Sequence, residues 1–176
     1  MNFNKSYREG AKGALLDEYE RVLDDLHNTI GDIMDEDIII VVDPFTKDPN
    51  CTSVQTVLSH VISAGFNYAI RIKKLRGIEM PLRQHIYHTK ISDYQNDIRA
   101  LFDFTLQTFE HIKDNELEEY DNSKKMPTEW GQSYDIEQMM EHAIVHILRH
   151  RRQLEKFIIK LYNANANKSP ESGNQT

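Results

Sequence analysis

Three histidines have the residue type and the spacing that metal binding requires. His146 and His150 are four residues apart in a segment with helical periodicity, so both rings leave one face of that helix. The rest of this face is apolar, and imidazoles at core positions need a polar partner. A divalent ion is one such partner, and His60, in another predicted helix, could supply a third nitrogen ligand.

The spacing alone leaves two interpretations open. A zinc protease motif, H-E-x-x-H, has Glu directly after the first histidine, whereas this chain has Ile147 there. The chain contains eight histidines, so one pair four residues apart could arise by chance. The pattern therefore predicts either a metal site or core histidines that are satisfied by hydrogen bonds.

The remaining histidines are expected outside the ligand set. His142 lies one turn before His146, so we expect it at the surface or in a second layer around the site. The others lie beside charged or loop sequence and are interpreted as surface groups: His27, His85, His88 and His111.

Four segments have the apolar periodicity of amphipathic helices. They cover about residues 6–33, 52–76, 92–113 and 135–162. Thr52 and Gln55 have the spacing of a capping box at the start of the second segment, and Gly77 ends it. The connectors are longer than simple hairpin loops, so at least one crossover connection is expected. The pattern predicts an all-α four-helix bundle over residues 1–162, followed by a disordered tail at 163–176.

The connectors carry three further features. The β-branched run at 38–42 predicts a lone extended segment that packs on the bundle. Trp130 and Tyr134, just before the fourth helix, could line a pocket wall or cap the core. Cys51 precedes a helix, where a thiol pKa can be lowered, but no base lies beside it in the sequence. We interpret it as an ordinary loop thiol.

Composition argues against several functional classes. The net charge of −7 argues against nucleic-acid binding, and we interpret the basic clusters at 71–76 and 149–152 as solvated helix flanks or helix ends. No apolar run approaches the ~20 residues of a membrane span. The single cysteine excludes an internal disulfide, and residues 1–10 lack the apolar core of a signal peptide. A cytoplasmic location is expected.

Two segments resemble the DinB/YfiT-like superfamily. Residues 146–154, H-I-L-R-H-R-R-Q-L, resemble the family run H-x-x-H-H-R-G-Q-L, and residues 53–60 are similar to its second-helix histidine segment. The order of the histidines also agrees, over about residues 6–161. The resemblance implies a four-helix bundle in which His60, His146 and His150 bind one divalent ion such as zinc or nickel.

Two positions depart from the family run. Arg149 replaces a histidine that we do not align with a ligand, and Arg152 replaces a glycine. Gln153 matches the run and lies three residues after His150, on the same helix face, where it could orient a ring in a second layer.

The resemblance implies a metal-dependent enzyme that acts on small molecules. Three nitrogen ligands leave a coordination position open, and an ion there lowers the pKa of a water or thiol. The expected reactions are transfer of a low-molecular-weight thiol to an electrophile, or hydrolysis. A non-catalytic metal-binding or stress-associated protein is the alternative, and a purely structural bundle is a third interpretation. Family members are often dimers, so a homodimer is also expected.

Overall fold

The computed structural model describes residues 6–166, and these form four α-helices, four short 3-10 helices and one short hairpin. The elements are α1 (Gly10–Thr29), α2 (Val54–Leu75), α3 (Ile91–Phe109), β1 (Met126–Pro127), β2 (Ser133–Tyr134) and α4 (Ile136–Ala166). The strands β1 and β2 pair antiparallel, with Met126 opposite Tyr134. The prediction of an all-α helical bundle is confirmed.

Each helix packs mainly against two others. Both α1 and α2 pack against α3 and α4, so α1 lies diagonally opposite α2, and α3 lies diagonally opposite α4. The α1–α2 and α3–α4 connections therefore both cross the bundle, which explains their length. The sequence predicted at least one such crossover. Because α2 and α4 are neighbours, a residue on α2 can meet residues on α4.

The apolar stripes of the four helices meet in one core. The core includes at least one fully buried apolar side chain from each helix: Tyr19, Leu58, Leu101 and Met139.

None of the helices in residues 6–166 is long and apolar enough to cross a membrane.

The start of α2 differs from the prediction by one residue. The Ser53 hydroxyl accepts a hydrogen bond from the Thr56 backbone N–H (3.2 Å), and the Thr56 hydroxyl accepts one from the Ser53 N–H (3.0 Å). The capping box predicted at Thr52 and Gln55 is therefore wrong, because the Gln55 amide instead donates to the His88 carbonyl (2.9 Å). The end of α2 is as predicted, with Gly77 at φ +80°.

The other helix ends depend on tertiary contacts. Helix α1 starts four residues later than predicted and ends before Ile30, and α3 stops at Phe109 instead of about Lys113. The Lys12 ammonium donates to the carbonyl of Phe109, the last residue of α3, and to that of Ile112 beyond it. Helix α4 continues to Ala166, so the predicted tail is helical over its first four residues. Residues 167–176 of that tail lie outside the described residues.

The run at 38–42 does not form the predicted extended segment. A short 3-10 helix precedes it, and Ile38 turns inward, where it is fully buried. The Ile38 carbonyl accepts a hydrogen bond from the Gln55 N–H (3.0 Å), which holds the turn against the start of α2. The hairpin lies instead in the last connector, where Gly131 at φ +89° allows the chain to reverse between Thr128 and Gln132.

Candidate metal centre

The structure brings His60, His146 and His150 together where α2 packs against α4. One ring nitrogen from each lies within 4.8 Å of the other two. The Nε2 atoms of His60 and His146 are 3.0 Å apart, and the ring centroids of His146 and His150 are 4.5 Å apart. The i, i+4 spacing in α4 places its two rings on the face that meets α2. The three side chains could therefore hold one metal ion.

Burial keeps these imidazoles neutral. It lowers the pKa of His146 to about 2 and that of His60 to about 4, with a further contribution in each case from the neighbouring His150. Burial also lowers the pKa of His150. A neutral imidazole has a lone pair for a metal, whereas a protonated one does not. The cluster is therefore ready to bind a cation at neutral pH.

Gln153 sets the orientation of one ring. Its amide oxygen accepts a hydrogen bond from Nδ1 of His150 (3.0 Å), so the proton is assigned to Nδ1, and Nε2 retains its lone pair. The amide nitrogen of Gln153 donates to the Cys51 carbonyl (3.5 Å), which determines how the amide is turned. Histidine ligands in metal sites commonly donate their second N–H to such an acceptor.

The separation of the His60 and His146 nitrogens fits two ligands of one metal ion. In tetrahedral zinc sites the Zn–N bonds are about 2.0–2.1 Å, so two ligand nitrogens are about 3.3 Å apart. The separation of 3.0 Å between His60 and His146 is close to this value. Without an ion, the same approach requires one of these two nitrogens to carry a proton. No carboxylate or thiol of residues 6–166 joins the three-histidine group.

An aromatic cleft opens on one side of the histidines. It has a volume of about 430 Å³ and reaches both His60 and His146. The Tyr68 ring lies edge-on to His146, with centroids 5.8 Å apart. The Trp130 ring stacks on His142, with centroids 4.7 Å apart and planes within 11°. Trp130 thus lines a pocket wall, which is one of the two roles that the sequence predicted for it. The Tyr134 ring contacts the Trp130 ring edge-on, with centroids 5.8 Å apart.

His142 lies outside the group of three. Its ring centroid is 6.2 Å from that of His146, and its contacts are with the aromatic wall of the cleft. Burial lowers the pKa of His142. The side chain therefore belongs to the wall of the cleft.

A second, larger cleft reaches the same histidines from the other side. Its volume is about 810 Å³, and His60, His146 and His150 all border it. Basic side chains of α4 and the loop residues Asp43 and Asp48 form its walls. The histidine group is therefore accessible from two directions.

His85 and Tyr68 lie beside the histidines although the sequence interpretation did not place them there. The Asn67 side chain donates to the backbone carbonyl of Arg83 (3.1 Å) and accepts from its backbone N–H (2.7 Å). These two hydrogen bonds hold the connector between α2 and α3 against α2. The His85 ring is consequently 6.0 Å from that of His60. No spacing rule relates a loop residue to a helix position in this way. Tyr68 could have been noticed, since it lies eight residues after His60 on α2.

Cys51 behaves as an ordinary thiol. It ends a short 3-10 helix before α2, and its sulfur donates to the Asp48 carboxylate (3.5 Å). Burial and the nearby Asp48 charge raise its pKa, so the thiol stays protonated at neutral pH.

Comparison with known proteins does not assign the chain to a family. The sequence matches no protein-family model and has no significant match among curated proteins. The capacity of the three histidines to bind a metal thus follows from their positions and chemistry. Membership of the DinB/YfiT-like superfamily stays a prediction.

Proposed function

We propose that this protein is a metal-dependent enzyme of the DinB/YfiT-like type that binds one divalent ion through His60, His146 and His150. The observation that carries the proposal is the convergence of three neutral imidazoles within 4.8 Å. Imidazole ligands suit zinc and nickel, and we propose one of these as the ion. Three protein ligands leave at least one coordination position for a substrate.

Two clefts that meet at one site suit a reaction with two substrates. A bound ion would supply Lewis acidity, which lowers the pKa of a thiol or a water. The aromatic cleft, with Tyr68 and Trp130, offers apolar surface for one partner, and the larger cleft offers a polar one. This arrangement favours transfer of a low-molecular-weight thiol to an electrophile over hydrolysis, which needs only water as its second reactant.

A non-catalytic metal-binding role is the second candidate. Glu129, the carboxylate that lines the aromatic cleft, forms an ion pair with Arg71 (2.5 Å). A carboxylate held in this way is poorly placed to serve as a general base. Stress-associated metal binding without turnover fits this observation.

Metal content tests the site directly. Protein purified without an affinity tag should contain close to one zinc or nickel ion per chain by elemental analysis. His146→Ala should lose the ion, because only two ligands remain, whereas His142→Ala, one turn away, should keep it. Wild-type protein that contains no metal, and whose melting temperature does not rise with added zinc or nickel, would contradict the proposal.

Activity assays separate the two candidates. Thiol consumption is measured with a panel of electrophiles, alongside ester and amide hydrolysis. Metal-dependent turnover that disappears in His150→Ala supports an enzyme. Turnover that is unchanged in His150→Ala would exclude catalysis by this site, and metal binding without any turnover would favour the non-catalytic role.

A further inference from the structure

We propose that the larger cleft binds a small organic anion, a dicarboxylate or a phosphate monoester, along the basic face of α4. This inference rests on the proposed function in that the anion would be the polar part of a substrate whose reacting group reaches the histidines. The side chains that would bind it are Arg149, Arg152, Lys156 and Lys160.

These four cations lie on one face of α4. Their spacings of three, four and four residues place them in a row along the helix. The same cleft is bordered by His60, His146 and His150, so the row starts beside the candidate metal centre. The positive charge of Arg149 is close enough to lower the pKa values of His146 and His150.

The row lacks internal partners. Within residues 6–166, neither a salt bridge nor a side-chain hydrogen bond is formed by Arg149, Arg152, Lys156 or Lys160. Arg151, on another face of the same helix, pairs with Asp25 (2.6 Å) and Glu155 (3.3 Å). In a chain with a net charge of −7, four unpaired cations in one cleft form a local positive field that attracts anions.

Two carboxylates of the loop before α2, Asp43 and Asp48, also line this cleft. Asp48 accepts a hydrogen bond from the Asn50 N–H (2.9 Å), and Asp43 accepts one from the Phe45 N–H (3.2 Å). Both acids are therefore engaged with their own loop, and neither forms an ion pair with the cations of α4 in the described structure. Four cations against two carboxylates leave the cleft positive, with the positive charge on the α4 side.

The dimensions favour a small molecule. The row from Arg152 to Lys160 spans about 12 Å of helix. The cleft volume of about 810 Å³ is in the range of ordinary ligand sites. Arginine binds carboxylate or phosphate through two parallel hydrogen bonds, and lysine adds a point charge. A carboxylate or phosphate group, in which two or more oxygens share negative charge, fits this combination.

The test uses glutarate and glycerol 3-phosphate as separate probes. Each is titrated into zinc-loaded, isotope-labelled protein while amide chemical shifts are followed. We expect saturable shifts around the larger cleft with at least one probe, which identifies the class of anion. The double variant Arg152→Gln/Lys156→Gln should bind that probe about tenfold more weakly, because two charge-assisted contacts are lost. The control Lys90→Gln/Arg99→Gln makes the same change in net charge on exposed residues of another region and should bind as the wild type does.

Zinc content, measured on every sample, separates this inference from the proposed function. Metal-loaded wild-type protein that binds neither probe would overturn the anion site alone. Equal affinity of the wild type and the Arg152→Gln/Lys156→Gln variant, or an equal loss in the control, would also overturn it. Protein that takes up no zinc but still binds a probe through Arg152 and Lys156 would contradict the metal centre and retain the anion site.

Discussion

Gln153 determines which nitrogen of His150 keeps its lone pair. Because its amide oxygen accepts the Nδ1 proton at 3.0 Å, the lone pair of His150 is on Nε2, which is turned away from Gln153. A histidine ring that is free to rotate or to change tautomer must be ordered when it binds a metal, and this lowers its affinity for the metal. The contribution of Gln153 is therefore to prepare His150 for coordination.

Replacing Gln153 should weaken metal binding without removing a ligand. We expect Gln153→Leu to lower zinc affinity about 10–100-fold, because the His150 ring loses its hydrogen-bonded orientation. Gln153→Glu keeps an acceptor oxygen and should remain close to the wild type. Affinity is measured by competition with a coloured zinc chelator. Wild-type affinity in Gln153→Leu would show that Gln153 does not support the site.

The histidines show what residue spacing can and cannot predict. His146 and His150 follow from helical periodicity, since both lie on one helix face whatever the fold. His60 is separated from them by more than eighty residues. Its place in another predicted helix made it a candidate, and the family resemblance then selected it. The proximity of His85 to His60 depends on the hydrogen bonds between Asn67 and the connector, which no local pattern encodes.

At the scale of elements, the site depends on the neighbouring positions of α2 and α4. The existence and the approximate length of all four α-helices were predictable from the sequence, because each helix has a long apolar stripe. Their ends were predictable only where the cap is local, as at Gly77. The start of α1 depends instead on Asp114, about a hundred residues away, whose carboxylate accepts hydrogen bonds from the N–H groups of Ala11 (3.2 Å) and Lys12 (3.1 Å).

Removing this long-range cap should destabilise the bundle. We expect Asp114→Ala to lower the free energy of unfolding by about 1 kcal/mol, as for other lost helix caps. Asp114→Asn retains one acceptor oxygen and should lose less. Urea unfolding of the three proteins measures the difference. An unchanged midpoint in Asp114→Ala would show that water satisfies the start of α1 equally well.

Gly65 leaves room on α2 for one side chain from α3 and one from α1. A Cβ atom at this position would lie 2.6 Å from Cδ2 of Leu101 and 3.0 Å from the hydroxyl of Tyr19, both buried. We expect Gly65→Val to lower the free energy of unfolding by about 1–3 kcal/mol through overpacking. Ala100→Val, on an exposed position of α3, provides the control for the β-branched side chain. Equal unfolding midpoints for the two variants would contradict this account of Gly65.

For the whole molecule, a bound ion would join two helices from distant parts of the chain. His60 belongs to α2, and His146 and His150 belong to α4, so coordination would link the second and last helices of the bundle. A ligand that binds only the folded state stabilises it by about 2.7 kcal/mol at a free concentration of 100 times its Kd. We expect removal of the metal by chelation to lower the melting temperature, and re-addition of zinc to restore it. His146→Ala is the control, and its melting temperature should not change when a chelator is added.

The metal-free protein should lose stability in mild acid. The pKa values of His60 and His146, about 4 and about 2, lie below the value of about 6.5 expected for unfolded histidine. Below pH 6.5 the unfolded chain therefore binds protons that the folded chain does not, and the free energy of unfolding falls as the pH decreases from 6.5 to 4. Above pH 6.5 these rings are neutral in both states and add no pH dependence. We expect His146→Leu to show a shallower decline, because one buried imidazole is removed. Urea unfolding of chelator-treated protein at several pH values measures both slopes, and identical slopes in the wild type and His146→Leu would show that His146 does not contribute.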